Sequence, residues 1–115
     1  MKDLKEYLNE SLNEAFEMQK VVKTWLSDKG NVRDAIRVVK HDCNFRMDED
    51  MMSKIFEWIA YDVYQFDTIT SLTSHMREDG PTNFPEWLDD EYDISYDAPW
   101  EDIFDSLGRM IDKEV

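Results

Sequence analysis

The most reactive side chains in this sequence are those of His41 and Cys43, which lie two positions apart. A cysteine nucleophile needs a general base within hydrogen-bonding distance, and histidine commonly serves as that base. On a helix, however, side chains two positions apart point in different directions and cannot form this hydrogen bond. One cysteine and two histidines are also too few for a structural zinc site without carboxylates. We therefore predict that Cys43 belongs to the core and that His75 is a surface residue near a helix C-terminus.

Carboxylates are the abundant reactive groups, with 27 Asp and Glu against 13 Lys and Arg. Paired acids can perform acid–base catalysis where a pocket separates their pKa values, but no pattern in the sequence indicates such a pocket. The acidic run 89–97 does not fit a calcium loop. With Asp89 in the first position, Ile94 falls where the loop needs glycine and Trp100 where it needs a bidentate glutamate. We predict no enzyme activity, no metal site and no cofactor.

The negative charge is concentrated near the C-terminus. Residues 78–115 contain 13 acids and two bases, a net charge of −11, whereas residues 1–77 carry a net charge of −3. A surface of this kind attracts cationic partners and repels phosphate groups. The predicted partner is therefore a basic protein surface, with no direct binding to nucleic acid and none to a membrane.

Composition and length predict a single domain over residues 1–115. The chain is 42% hydrophobic and 13% aromatic, which is sufficient for a core without a metal or a disulfide. Its single cysteine excludes an intramolecular disulfide and fits a reducing compartment. No run of 18 apolar residues and no signal-peptide pattern occur. We expect a cytoplasmic protein, in the host cytoplasm if it is phage-encoded.

The spacing of apolar residues predicts an all-α fold, a compact bundle of about four helices. The first helix is expected from Asp3 to Leu26 and the second from a cap at Asn31. Capping by Asp48 starts a long third helix that runs to about Arg77, with a break in the Thr- and Ser-rich run Thr68 to Ser74 as the alternative. These three helices form the predicted body, residues 1–78, and a C-terminal amphipathic helix follows at residues 100–113.

Two features of the body suggest further contacts. Arg33, Arg37 and Lys40 share one face of the second helix, which is the only distinctly basic surface in the sequence. We interpret it as a solvated face that pairs with acids elsewhere in the same protein, with a second contact patch or an internal partner for the acidic tail as the alternative. Trp58, Tyr61 and Tyr64 broaden the apolar stripe of the third helix beyond one face, so a homodimer is possible.

Residues 79–99 are predicted to form an acidic, aromatic-rich loop, because Gly80-Pro81 should end the preceding helix. Aromatic side chains alternate with acids here, so we expect the aromatics to pack on the body and the carboxylates to face outward. The last helix should also turn its acidic face to solvent. The predicted partner-binding residues are Glu86, Asp89, Asp90, Glu91, Tyr92, Asp93, Tyr96, Asp97, Glu101, Asp102 and Asp105.

In length, expected helix content and surplus of acidic and aromatic residues, the whole chain resembles small phage DNA mimics of the Ocr-like antirestriction and anti-CRISPR type. The runs Asp34-Ala35-Ile36 and Ile55-Phe56 contribute to this resemblance, from which no functional residue is carried over. It implies inhibition of a restriction or CRISPR effector by occlusion. Duplex DNA carries one charge per about 1.7 Å of axis, and carboxylates can meet the arginines and lysines that bind phosphates.

Two alternatives remain open at this point. An immunity-protein or antitoxin-like neutraliser of a basic toxin would also be small and acidic, with Trp87, Tyr92 and Tyr96 as aromatic anchors. The other alternative is an acidic surface that serves solubility and contacts no partner.

Overall fold

In a computed structural model, which describes residues 17–114, the chain is mostly helical and this part of it contains no strand. The all-α prediction is confirmed, although the described residues form five helices instead of about four. The part of the first helix predicted before residue 17 lies outside the described residues. The helices are α1 (17–27), α2 (Lys29–Cys43), α3 (Glu49–Asp62), α4 (Ile69–Tyr92) and α5 (Trp100–Glu114), with a 3-10 turn at Val63–Gln65.

Side-chain caps fix the starts of three helices. Asp28, Asp48 and Thr68 each accept a hydrogen bond from a backbone N–H in the first turn of α2, α3 and α4, at 2.8, 2.7 and 3.0 Å respectively. Such a cap satisfies a donor that has no partner within the helix. The prediction that Asp48 caps α3 is confirmed. α2, however, is capped by Asp28 and not by Asn31.

α3 and α4 replace the single helix that was predicted from Asp48 to about Arg77. α3 ends at Asp62, and the backbone is extended at Phe66 (φ −121°, ψ 138°) and again at Thr68. The Thr68 side chain bonds to the backbone and so competes with helix continuation at this position. The apolar spacing continues across the break, which is why periodicity alone did not reveal it.

The predicted loop over residues 79–99 is wrong for most of its length, because α4 continues to Tyr92 and only residues 93–99 are non-helical. Pro81 and Pro85 lie inside the helix, and each removes one helical N–H donor. Packing offsets this loss. A Cβ added at Gly80 would lie 2.9 Å from the Phe104 ring, which shows how closely α4 approaches α5.

The core lies where four helices meet. α5 packs against α4 and α2, and α3 packs against the same two helices. Trp58 is 3% exposed and contacts the rings of Phe84 and Phe104, so it belongs to the core and not to a surface contact. The amphipathic helix predicted at residues 100–113 is confirmed as α5. Its fully buried stripe is Ile103, Phe104, Leu107 and Ile111.

Among the described residues, no helix has the length and apolar character required to cross a membrane.

Candidate acidic interaction surface

The second half of α4 carries a row of carboxylates on its outer face, which we call the acidic ridge. Asp89 and Asp90 lie three and four positions after Glu86 and so share its face of α4, and Asp93 is the residue that caps the end of the helix. The opposite face is buried through Phe84 and Leu88, and the ridge therefore points away from the core. The acidic ridge consists of four exposed residues, Glu86, Asp89, Asp90 and Asp93.

The acidic ridge is held in one geometry by the helix that carries it. An α-helix rises about 1.5 Å per residue, so the four carboxylates lie within about 10 Å of axis, with successive axial steps of about 4.5, 1.5 and 4.5 Å. Asp93 ends the helix in the left-handed conformation (φ 54°), with its backbone N–H donating to the Asp89 carbonyl at 2.9 Å. None of the salt bridges within residues 17–114 involves a ridge carboxylate.

Three more of the predicted partner-binding acids are exposed, and they follow the ridge in the chain. Asp97 lies in the 93–99 segment, whereas Glu101 and Asp102 occupy the first turn of α5. Negative charge in the first turn of a helix is favoured by the helix dipole. Glu101 and Asp102 therefore stabilise α5 as well as adding to the acidic surface.

Asp105 differs from the other predicted acids because two arginines already neutralise it. Its carboxylate lies 3.5 Å from Nε of Arg77 and accepts a hydrogen bond from Arg109. That hydrogen bond is the main cause of the raised pKa of the Arg109 guanidinium. Arg77 also reaches Asp112 at 3.2 Å. Asp105 and Asp112 therefore connect α5 to Arg77 of α4, and they contribute little free negative charge.

The Tyr92 hydroxyl is committed to the protein itself. It donates to the Glu57 carboxylate, with oxygen–oxygen distances of 2.8 and 2.6 Å. This hydrogen bond raises the pKa of Tyr92, since ionisation would remove the donated proton. The Tyr92 ring also meets that of Trp87 edge-on, with centroids 5.5 Å apart. Although Tyr92 is 40% exposed, its polar end is not available to a partner in this conformation.

Tyr96 and Trp87 pack on the body as expected for the aromatic residues of this segment. The Tyr96 ring lies 6.2 Å from Phe45 and 5.8 Å from Trp100, and burial is the main cause of its raised pKa. The Trp87 ring stacks on Phe84 with centroids 5.8 Å apart. The prediction that the aromatics face inward while the carboxylates face outward is confirmed. Glu91 lies off the ridge, in a groove beside Trp87.

The basic face of α2 does not pair with the acidic C-terminal part in the described structure. Arg33, Arg37 and Lys40 are exposed, and the salt bridge found for them in residues 17–114 joins Arg37 to Asp34 of the same helix at 3.2 Å. A groove of about 510 Å³ separates this side of α2 from the end of α5, and it is lined by charges of both signs. The predicted pairing with acids elsewhere in the protein is therefore not found among residues 17–114, where the salt bridge of this face stays within α2.

His75 was predicted to be a surface residue near a helix end, and this prediction is wrong. It lies inside α4 and is 19% exposed, with its ring 4.8 Å from that of Phe66. Its two ring nitrogens lie 3.2 Å from Asp62 and 3.0 Å from Asp79. Because both nitrogens face carboxylates, neither is available to a substrate, and the contact joins α3 to α4. The contact with Asp79 could be predicted from the sequence, because Asp79 lies four positions later on the same helix. The contact with Asp62 could not be predicted, because it depends on how the chain turns between α3 and α4.

The geometry around Cys43 does not favour nucleophilic chemistry. The cysteine is half-buried against the core, and burial, with Asp102 and Asp42 nearby, raises the pKa of its thiol. His41 contacts Asp42 at 3.0 Å, and the same carboxylate accepts a hydrogen bond from the Ser106 hydroxyl at 2.8 Å. His41 therefore contacts Asp42 but not Ser106. In a catalytic triad the histidine lies between the serine and the acid and contacts both. Within the described ranges, no group of three His, Cys, Asp or Glu residues could hold a metal ion.

Comparison of the chain with known proteins gives no matching family model, no matching curated protein and no matching solved structure. The resemblance to Ocr-like DNA mimics is therefore one of length, composition and helix content. Among residues 17–114, the acidic ridge gathers four exposed carboxylates that take part in no salt bridge.

Proposed function

We propose that this protein is an acidic inhibitor that occupies the nucleic-acid-binding surface of a basic host protein, such as a restriction or CRISPR effector. The observation that carries this proposal is the acidic ridge, in which four exposed carboxylates share one face of α4. None of them takes part in a salt bridge among the described residues. Their charge is therefore available to the arginines and lysines of a partner, with which carboxylates form strong charge-assisted hydrogen bonds.

The charge density of the ridge supports mimicry of a phosphate backbone. The ridge holds four charges within about 10 Å of helix axis, and one strand of DNA holds about four phosphates in the same length, at about 3.4 Å each. A duplex carries about twice that charge density along its axis. The ridge thus imitates a single strand, or one strand of a duplex, over a length of about three nucleotides. Asp97, Glu101 and Asp102 add charge on the part of the chain that folds back beside α4, where Trp100 contacts Phe84.

The rigidity of the ridge also favours binding. Phe84 and Leu88 anchor the helix on the side opposite the carboxylates, with 0% and 1% of their surface exposed. A partner that binds the ridge does not have to order its backbone, so less conformational entropy is lost on association. A disordered acidic tail of the same composition would lack this advantage.

The aromatic residues favour a nucleic-acid mimic over a toxin neutraliser. Neutralisers of the immunity-protein kind would be expected to bury Trp and Tyr anchors in the partner. Here Trp87 and Tyr96 pack against Phe84 and Trp100 of the same chain. The acidic surface consequently presents carboxylates with few free aromatic side chains beside them, which is closer to the surface of a phosphate backbone.

Affinity capture from a bacterial lysate tests the proposal. Tagged wild-type protein is compared with the ridge variant Glu86→Gln/Asp89→Asn/Asp90→Asn/Asp93→Asn at about 50 mM and about 500 mM salt, and captured proteins are identified by mass spectrometry. We expect nucleic-acid-binding proteins on the wild type at low salt, their release by added single-stranded oligonucleotide, and their loss from the ridge variant.

A matched control separates the effect of the ridge from that of net charge. The control variant removes four exposed carboxylates outside the ridge and should capture the same proteins as the wild type. Equal capture by the ridge variant, or capture that added oligonucleotide does not reduce, would contradict the proposal. The control substitutions are Glu17→Gln, Glu49→Gln, Asp67→Asn and Glu114→Gln.

A further inference from the structure

A second surface lies away from the acidic ridge, at the C-terminal end of α3. Tyr61 and Tyr64 are 71% and 58% exposed, the two highest values among the large hydrophobic residues of the described chain. Val21 of α1, at 52%, is the next. Monomeric proteins normally cover large aromatic side chains better than this, and clusters of exposed ones mark contact sites.

The exposed tyrosines border two adjoining grooves. One groove, of about 340 Å³, lies between Lys23, Tyr61, Trp87 and Glu91. The other, of about 330 Å³, is also lined by Lys23 and extends along α1 to Tyr64. We call this region the tyrosine face. It comprises Lys23, Glu57, Tyr61, Tyr64, Trp87 and Glu91.

The charges of the tyrosine face are arranged in order across three helices. α3 lies in the middle, because Trp25 of α1 stacks on Phe56 of α3 at 5.3 Å and Tyr92 of α4 bonds to Glu57 of α3. The α1 flank carries Lys20 and Lys23, and the α4 flank carries Glu91. The face is therefore basic on one side, aromatic in the middle and acidic on the other side.

We infer that a second copy of this chain occupies the tyrosine face, related to the first by a twofold axis that passes close to Tyr61. A twofold contact joins one patch to itself, so the patch must be self-complementary. Rotation about this axis places the Lys23 flank of one copy over the Glu91 flank of the other. The exposed tyrosines then meet at the centre, where interfaces are enriched in aromatic residues.

Charge repulsion between the copies is compatible with this arrangement. Each chain carries a net charge of −14, but charges further apart than about 8 Å are largely screened at physiological ionic strength. The contact would use the cations of α1, whereas the acidic ridge lies on another face of α4 and remains exposed in the dimer. The inference does not depend on the proposed function, since it involves no ridge residue.

Sedimentation equilibrium from about 10 µM to about 1 mM tests the inference through a charge swap. Lys23→Glu and Glu91→Lys should each weaken the dimer about tenfold, because each places like charges opposite each other across the axis. The double variant Lys23→Glu/Glu91→Lys restores opposite charges and should return the dissociation constant to within about threefold of the wild type. Arg33→Glu, on α2, should leave it unchanged.

A cross-linking experiment checks the position of the axis without relying on these charges. In a Cys43→Ala background, Tyr61→Cys should form a disulfide-linked dimer under mild oxidation, since residues beside a twofold axis can bring their Cα atoms within about 7 Å. Thr82→Cys, which is exposed on α4, is the matched control and should stay monomeric. A wild-type monomer at about 1 mM, failure of the charge swap to restore the dimer, or equal cross-linking of the two cysteine variants would overturn the inference.

Discussion

At the scale of single residues, the long-range hydrogen bonds determine which carboxylates remain free. The Asp42 carboxylate accepts a hydrogen bond from the Ser106 hydroxyl of α5, which lies 64 positions away in the sequence. Asp105 is paired with Arg77 of α4, and Glu57 accepts the Tyr92 hydroxyl over a separation of 35 positions. These pairings remove Asp42, Glu57 and Asp105 from the carboxylates that are free to meet a partner. Each hydrogen bond can be tested by measuring the pKa of the carboxylate that accepts it.

The pKa of Asp42 should rise when Ser106 is changed to Ala. Hydrogen bonds from His41 and Ser106 hold the pKa of Asp42 below its ordinary value of 3.8. A group with a lowered pKa in the folded state contributes stability that is present above its unfolded value and is lost as pH falls through its folded value. The expected result for Ser106→Ala is an upward shift of the Asp42 titration, measured by NMR of the side-chain carboxyl carbons.

Thr73→Ala is the matched control for that experiment. The buried Thr73 hydroxyl donates to Asp112 and not to Asp42, so this variant should leave the lowered pKa of Asp42 unchanged. An Asp42 titration that does not move in Ser106→Ala would show that the Ser106 hydrogen bond is absent in solution.

The candidate site was predictable to the extent that local spacing determines it. Glu86, Asp89, Asp90 and Asp93 could be identified as exposed from the sequence, since acids outside an apolar stripe normally face solvent. Their common face was missed, because Gly80-Pro81 predicted a loop where the chain is helical. The pairing of Asp105 could not be predicted, because the position of Arg77 depends on how two helices pack.

At the scale of helices, packing and local preference oppose each other most clearly in α4. Its two prolines and Gly80 would disfavour a helix in an isolated peptide. In the folded chain, Phe84 packs on Trp100 and Phe104 at 5.1 and 5.8 Å, and this burial outweighs the lost hydrogen bonds. α5 could be predicted accurately because its apolar stripe and its helix preference agree, whereas in α4 they do not.

Gly80→Ala should destabilise the protein by about 1–3 kcal/mol, since it forces a methyl group into a filled space. The added Cβ would lie 2.9 Å from the Phe104 ring, and Phe104 is fully buried with little room to move. Thr82→Ala, exposed on the same helix, is the control and should change stability by less than about 0.5 kcal/mol. Urea unfolding followed by circular dichroism measures both variants.

A stabilising effect of Gly80→Ala would contradict the close approach of α4 and α5. In that case the higher helix preference of alanine, about 1 kcal/mol over glycine, would have outweighed any contact with Phe104. The comparison therefore tests whether packing against α5 or local preference governs this part of α4.

At the scale of the whole molecule, the charge distribution has a cost in stability. The chain carries a net charge of −14, most of it in residues 78–115, and like charges on one surface repel each other in the folded state. The ridge carboxylates have no compensating salt bridges within the described residues. A surface that lowers stability in this way is common where the charge is needed for contact with a partner.

Neutralising the acidic ridge should therefore raise the thermal midpoint at low salt while abolishing partner capture. At about 10 mM salt, where charges interact over about 30 Å, the ridge variant should melt several degrees above the wild type. At about 1 M salt, where the screening length is about 3 Å, the difference should largely disappear. The control variant removes four carboxylates that lie far apart, so their mutual repulsion is weaker. Its thermal midpoint should therefore rise less at low salt than that of the ridge variant. A ridge variant that melts at or below the wild-type midpoint at low salt would show that these carboxylates stabilise the fold, and a functional reason for their clustering would no longer be needed.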